Sequence, residues 1–305
     1  MRILITGASG FLGLNAMLQL KGQHEISGAY HAHTVNVEGV RTFRLDLSDE
    51  SAVHRAVCDV KPEVILHTAG LTNVDACEDN PGEAERLNVQ VSEYVARAAQ
   101  SAGVTLVHVS TDHMSDGTKA LVGETALLTP LNQYARTKWL AEQAVMRVCP
   151  DALIIRTNFF GWGTPVKASF SDWILNRLRQ GKGLPLFVDV YITPILVNDL
   201  VTVICQLLKR RVVGTYNVAG SERVSKYDFG IRLAKIFGYS IESLRPVSVR
   251  DMCLQARRPQ DMSLSTDKVS MCLGQRMPSL DESLAHLKAL GEQGWQESVW
   301  QSIDV

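Results

Sequence analysis

The chain lacks an excess of charge of either sign: 31 lysines and arginines stand against 32 aspartates and glutamates over 305 residues, a net charge of -1 with the signs mixed along its length. Such a balance leaves no electrostatic footprint for nucleic acid or an anionic membrane surface, and a small-molecule partner is expected instead. Long hydrophobic runs are missing too. No apolar stretch approaches the roughly 20 residues that span a bilayer. Met1-Arg2-Ile3-Leu4-Ile5-Thr6-Gly7 passes straight from a short apolar run into a glycine turn, without the longer apolar region and cleavage site of a secretory signal, so a cytoplasmic protein is expected. The six cysteines, Cys58, Cys77, Cys149, Cys205, Cys253 and Cys272, include no Cys-x-x-Cys pair and no histidine at ligand spacing. That pattern argues against a zinc site or a disulfide framework and predicts buried thiols. No ligand cluster compels a metal, and neither internal repeats nor low-complexity segments occur.

What is present is chemistry organised around Asn132-Gln133-Tyr134-Ala135-Arg136-Thr137-Lys138. The run continues with helical apolar spacing, which puts Tyr134 and Lys138 on one face, a cation one turn from a phenol. A free tyrosine titrates near pH ~10, and an adjacent positive charge stabilises its phenolate. Such a pair suits proton exchange with a carbonyl or alcohol.

A second pattern stands at the start. Arg2-Ile3-Leu4-Ile5 reads as a strand, Thr6-Gly7-Ala8-Ser9-Gly10-Phe11-Leu12-Gly13 as a glycine turn, and the residues that follow as a helix. Gly7 permits the tight turn, Gly10 lets the backbone approach a pyrophosphate, and Gly13 lets helix and strand pack closely. Strands are expected at Glu25 to Tyr30 and Arg41 to Leu45. An acid about 20 residues past the glycines usually marks NAD, whereas Tyr30, His31, Ala32 and His33 stand there, with Arg41 and Arg44 on the next strand. NADP(H) is therefore preferred, with NAD(H) possible. His31 and His33 have a second reading as solvated loop residues, and residues 31–39 carry no clear cofactor signature. Asp46 falls where an acid can bond an adenine amino group, and Ser48 is a candidate cap for the following helix.

Val64 to Gly70 is a continuous apolar strand ending in small residues, Ala69 and Gly70, against which a ligand can lie. A long helix is expected from Pro81 through Ala102, stopped by Gly103, and then a strand ending at Ser110-Thr111-Asp112. The alternation up to Thr157 predicts an α/β fold with a Rossmann-type, doubly wound parallel sheet. Beyond it, helices are expected over Phe170 to Gln180, from about Thr193 with Asn198 or Asp199 near its cap, over Ser225 to Phe237 and near Leu284 to Leu290, with a returning strand at Thr215 to Val218. The expected division is a cofactor domain of residues 1–158, with 191–218 added, and a smaller interleaved substrate lobe of residues 159–190 and 219–305.

With these motifs in order, the chain resembles the extended short-chain dehydrogenase/reductase superfamily, and within it the dTDP-4-dehydrorhamnose reductases. The likeness also runs through Asn73-Val74-Asp75-Ala76-Cys77-Glu78-Asp79-Asn80-Pro81, Leu87-Asn88-Val89, Thr193-Pro194, Gly214 to Gly220 and Arg257-Arg258-Pro259-Gln260-Asp261. It implies hydride transfer from a nicotinamide to the C4 ketone of a nucleotide-linked 4-keto-6-deoxy sugar. Tyr134 would act as general acid, Lys138 would lower its pKa and hold the nicotinamide ribose, and Thr111 would polarise the carbonyl. Ser9, Phe11 and Leu47 complete the expected cofactor contacts, and Ser110, Asp112, Asn158 and Arg258 those of the substrate. Arg156, Lys167 or Arg258 are candidates for the substrate diphosphate, each with a structural salt bridge as its alternative. One departure lies after Thr111-Asp112, where the family continues with an aromatic, Val and Phe, whereas His113-Met114-Ser115 stands here. A homodimer is possible. The same branch resembles the regulatory subunit of methionine adenosyltransferase, which leaves a non-catalytic NADP-binding subunit as the alternative.

Overall fold

A computed structural model of the chain describes residues 1–252 and 254–304. Six strands, β1 (Arg2–Thr6), β2 (Glu25–Tyr30), β3 (Arg41–Arg44), β4 (Val64–His67), β5 (Thr105–Val109) and β6 (Leu153–Arg156), join Gly214–Asn217 in one seven-stranded sheet. Every pairing in it is parallel, and the order runs Gly214–Asn217, β6, β5, β4, β1, β2, β3. The fold is α/β. Side chains leave alternate faces of each strand, and both faces are apolar. Ile3, Ile5, Leu66, Val107 and Ile155 join one core cluster, while Leu4, Ile65 and Leu106 join another on the opposite side. Helices cover both faces, so the sheet is doubly wound. Strand order reverses between β1 and β4, and the crevice outside their carboxyl ends is where such a sheet places a ligand.

Helix α1 (Phe11–Leu20) leaves β1 through Gly7, whose φ of +71° only glycine adopts without strain. A Cβ on Gly13 would lie 2.3 Å from Gly7 O, so the third glycine is required by the contact between helix and turn. Eight of the ten α1 residues are buried, because the helix is wedged between the sheet and Val197–Lys209.

Several helix ends differ from the sequence expectation, each for a local reason. Asp49, not Ser48, caps α2 (Glu50–Val60), accepting from Ala52 N at 3.0 Å. Ser48 is occupied by Asp46, to whose Oδ1 it donates through both N and Oγ. The helix expected from Thr193 starts at Val197 with Leu196 as its cap residue; Asn198 and Asp199 lie inside the first turn, tied to Gln19 and to Ser283 and His286. The Pro81 to Ala102 helix contains a π-turn over Arg86–Gln90, and Gly103 ends it at φ +65° as expected.

A third cluster lies past β6. Phe160 and Trp162 pack with Ile174, Leu186, Phe229 and Leu284, which come from Phe170–Arg179, Leu184–Phe187, Lys226–Ile236 and Leu280–Glu292, and Leu184–Phe187 pairs with Leu244–Val247. The helix expected near Leu284 begins four residues earlier, at Leu280, because Ser279 and Glu282 form a capping box, and a further helix, Trp295–Gln301, follows it. Of the described cysteines, Cys77 and Cys149 are buried, but Cys205 and Cys272 are half-buried and Cys58 is exposed on α2; Cys253 lies outside the described residues. Among the described residues no helix is long and apolar enough to cross a membrane, and no group of three or more His, Cys, Asp or Glu is placed to hold a metal.

Candidate active site

The Tyr134 helix (Gln133–Val148) starts where it does because Asn132 accepts from Ala135 N at 2.9 Å while its own amide donates to Arg257 O at 2.8 Å. This cap reaches both the helix and the C-terminal part of the chain, so Tyr134 is placed by residues distant in sequence. Asn88, carried on the π-turn, adds a second clamp: it bonds Leu71 N and O at 2.7 and 3.1 Å and Thr137 Oγ1 at 3.0 Å.

A cavity of about 600 Å³ opens at the carboxyl ends of β1, β4, β5 and β6, and Tyr134, Lys138 and Thr111 all line it. On one side it meets Ser9, Gly10 and Phe11. A Cβ on Gly10 would touch only Gly7 O within 4 Å, and no side chain caps the start of α1. That open glycine and the uncapped N–H groups of the first turn fit a phosphate. Two buried hydroxyls in the same wall, Ser110 Oγ and Thr157 Oγ1, have no hydrogen-bond partner among the described residues. Thr68, Ala69, Gly70 and His33 extend the lining. Tyr30, His31, Asp46 and Leu47 lie at the ends of β2 and β3, outside that lining, with His31 and Asp46 exposed. The Ser48 hydrogen bonds, with the charges of His31 and Arg86, hold the Asp46 carboxyl below the usual range.

The expectation that Lys138 lowers the Tyr134 pKa is not met in the protein by itself. Burial pushes the phenol well above its ordinary value; a hydrogen bond with Thr111 opposes this, and Asp112 and Cys77 add to it. Lys138 Nζ donates instead to Val109 O at 2.7 Å, and burial lowers its pKa to about 8 against the upward pull of Glu142. Desolvation is the largest cause of the shift in both groups. Thr111 Oγ1 donates to Asp112 Oδ1 at 3.3 Å, and Asn158 donates to Asp112 Oδ2 at 2.7 Å. Burial nevertheless raises the Asp112 carboxyl to about 7, with Asn158 and the charge of Lys226 pulling the other way.

The three diphosphate candidates separate clearly. Arg156 is held bidentate by Glu142 at 2.7 to 3.2 Å, with both side chains buried, so it belongs to the scaffold. Arg258 pairs with Asp75 at 2.9 Å and lies outside the cavity lining. Lys167 does line the cavity, donating to Thr72 Oγ1 at 2.8 Å. Sequence reasoning missed Thr157, Lys226 and Glu142. Thr157 follows β6 as Ser110 follows β5, and that symmetry was the available signal. Lys226 had none, since its ammonium reaches the site over Phe170 from a distant helix.

A family model described as the RmlD substrate binding domain matches residues 1–290. The chain belongs to this family. Among its relatives is the probable low-salt glycan biosynthesis reductase Agl14 of Haloferax volcanii, 30% identical, with 95% of this chain and 98% of the relative covered. The methionine adenosyltransferase 2 subunit beta of Pongo abelii is 29% identical, with 98% and 91% covered. A solved structure of dTDP-4-dehydrorhamnose reductase from Bacillus anthracis, in complex with NADP, superposes with a TM-score of 0.84 at 25% identity, covering 94% of this chain and 98% of that one.

For this RmlD-type chain, the lowered pKa of Lys138 has a measurable consequence. Below pH 8 the lysine is charged in both folded and unfolded chains, and the full cost of burying the cation falls on the folded state. Between pH 8 and 10.5 the unfolded chain binds more protons, so this site makes stability rise with pH. Lys138→Met is expected to raise the urea midpoint at pH 7 and to flatten the rise up to pH 10.5. Parallel midpoint profiles for the two proteins would contradict it.

Proposed function

We propose that this chain reduces the 4-keto group of a nucleotide-linked deoxysugar, with NADPH as the preferred hydride donor. The observation that carries the reading is the convergence of Thr111, Tyr134 and Lys138 in one open cavity whose other wall is an open glycine turn and an uncapped helix start. A bound reduced nicotinamide supplies the hydride. Negative charge then develops on the carbonyl oxygen, and the protein's part is to stabilise that oxygen and protonate it. Tyr134 suits the general acid, because a phenol with a raised pKa keeps its proton until an alkoxide draws it off. Thr111 Oγ1 would turn its one proton from Asp112 Oδ1 to donate to the same oxygen. Lys138 contributes positive charge beneath the phenol, and an anionic cofactor nearby would shift it back toward its charged form.

The preference for NADPH rests on the end of β2, where Tyr30 and His31 stand in place of an acid, with Arg44 on the neighbouring β3 paired to Tyr30 in register. The NADP complex of the Bacillus anthracis relative supports it. Residues 1–158 and 191–218 would form the cofactor part, with 159–190 and 219–305 as the substrate lobe. Lys167 is the favoured diphosphate ligand of the three candidates.

The test is a titration with NADPH and NADH followed by absorbance loss at the reduced-nicotinamide band with a panel of nucleotide-linked 4-keto sugars. Tight NADPH binding and oxidation on at least one sugar is expected. Tight binding with no oxidation on any would overturn the reductase reading in favour of a non-catalytic cofactor-binding subunit, the alternative raised by the likeness to methionine adenosyltransferase 2 subunit beta.

A further inference from the structure

The cavity wall next to Tyr134 contains an imidazole with no side-chain hydrogen bond to any of the described residues. His113 packs edge-on to the Tyr134 ring, with centroids 5.5 Å apart at 83°, and lines the same cavity. Its Nδ1 is buried without a hydrogen-bond partner among the described residues, and Nε2 is the ring nitrogen left open to the cavity. Nε2 stands 3.9 Å from Asp112 Oδ1, too far for a hydrogen bond. Burial, then the charges of Lys226 and Arg258, bring its pKa to about 3, so the ring is neutral at working pH and presents one donor and one acceptor. Leaving such a ring desolvated and unpaired is costly, and an apolar ligand group closing over it would complete that desolvation without repaying it. Asn158, donating to Asp112 Oδ2 at 2.7 Å, keeps that carboxylate from turning toward the ring.

We propose that His113 is a specificity-determining residue, hydrogen-bonding a hydroxyl on the carbon beside the carbonyl that Tyr134 protonates. For a 4-keto-6-deoxy sugar this is the hydroxyl at C3, since the carbon on the other side carries the methyl arm. The substrate class narrows to keto sugars that retain this hydroxyl, and 3-deoxy analogues are rejected. A site built to pair with a hydroxyl discriminates against the ligand lacking it, because the site's own polar group is then left unpaired. The inference rests on the reductase reading for the choice of ligand, and on the placement of the imidazole for the contact.

Affinity for a nucleotide-linked 4-keto-6-deoxy sugar and for its 3-deoxy analogue is measured in the presence of NADP+, which cannot supply a hydride, so binding is read without turnover. The wild type is expected to bind the 3-hydroxy compound roughly tenfold more tightly. His113→Phe keeps a ring against Tyr134 and should bind both sugars equally, at the level of the 3-deoxy compound; His113→Gln, which restores a hydrogen-bonding group, should recover part of the preference. An equal ratio in wild type and His113→Phe overturns the inference, and so does a wild type that binds neither sugar. A preference that is lost in His113→Phe, without oxidation of NADPH on either sugar, overturns the reductase reading and leaves His113 as the specificity residue.

Discussion

Tyr134→Phe is expected to lower kcat for keto-sugar reduction by roughly a thousandfold while leaving NADPH affinity within about twofold. The substitution removes one oxygen. The ring's contacts remain: it packs against Cys77 and Ala84 and lies edge-on to His113, none of which needs the hydroxyl. Lys138 keeps its bond to Val109 O, so the floor of the site is unchanged. What disappears is the proton for the developing alkoxide. A drop in kcat with KM nearly constant is the signature of a group that acts only in the transition state. A matched rise in KM would instead mean that the hydroxyl is a binding contact. The same variant separates the reductase reading from the non-catalytic one, because a subunit that only binds cofactor would lose nothing in biological activity when this oxygen is removed.

Much of this site was legible in the sequence because its parts are local. A glycine turn between a strand and a helix implies positive φ at Gly7 and close packing at Gly13 wherever it occurs, and both are found. The one-turn spacing of Tyr134 and Lys138 likewise puts both on one buried face. What was not legible depends on burial and on residues that meet only after folding. The phenol was expected to titrate low because a lysine lies one turn away, yet desolvation decides the direction for both groups, and sequence spacing says nothing about water. Ser48 and Asp49 are both good cap residues, and the choice between them falls to Asp46, which engages the serine first. The cavity end expected to take the substrate brings together Asp112, Asn158 and Lys167, with the charge of Lys226 acting on Asp112, and their separation along the chain leaves no spacing to recognise.

Glu142 and Arg156 make the same point with a larger energy. Arg156 reads in the sequence as a possible phosphate ligand, but both its hydrogen-bonding edges are spent inside the protein: Nε and Nη2 on Glu142, and Nη1 on Glu124 O at 3.4 Å. With the side chains only 6% and 3% exposed, removing one partner strands a charge in the interior, and Glu142→Ala is expected to destabilise the fold by about 3–5 kcal/mol. Urea unfolding would read this as a lower midpoint at unchanged slope. Glu142→Ala combined with Arg156→Met should recover most of the loss, because the penalty belongs to the unpaired guanidinium more than to the missing ion pair. A loss near zero for Glu142→Ala alone would mean that water reaches Arg156. The pair also touches the chemistry, because Glu142 is the charge that opposes the burial-driven fall of the Lys138 pKa. In the double variant, stability is largely restored but that carboxylate is gone, so the lysine should lose its proton at lower pH than in the wild type. The alkaline limb of the pH profile for reduction would then move down in pH, and an unmoved limb would show that Glu142 supports the scaffold alone.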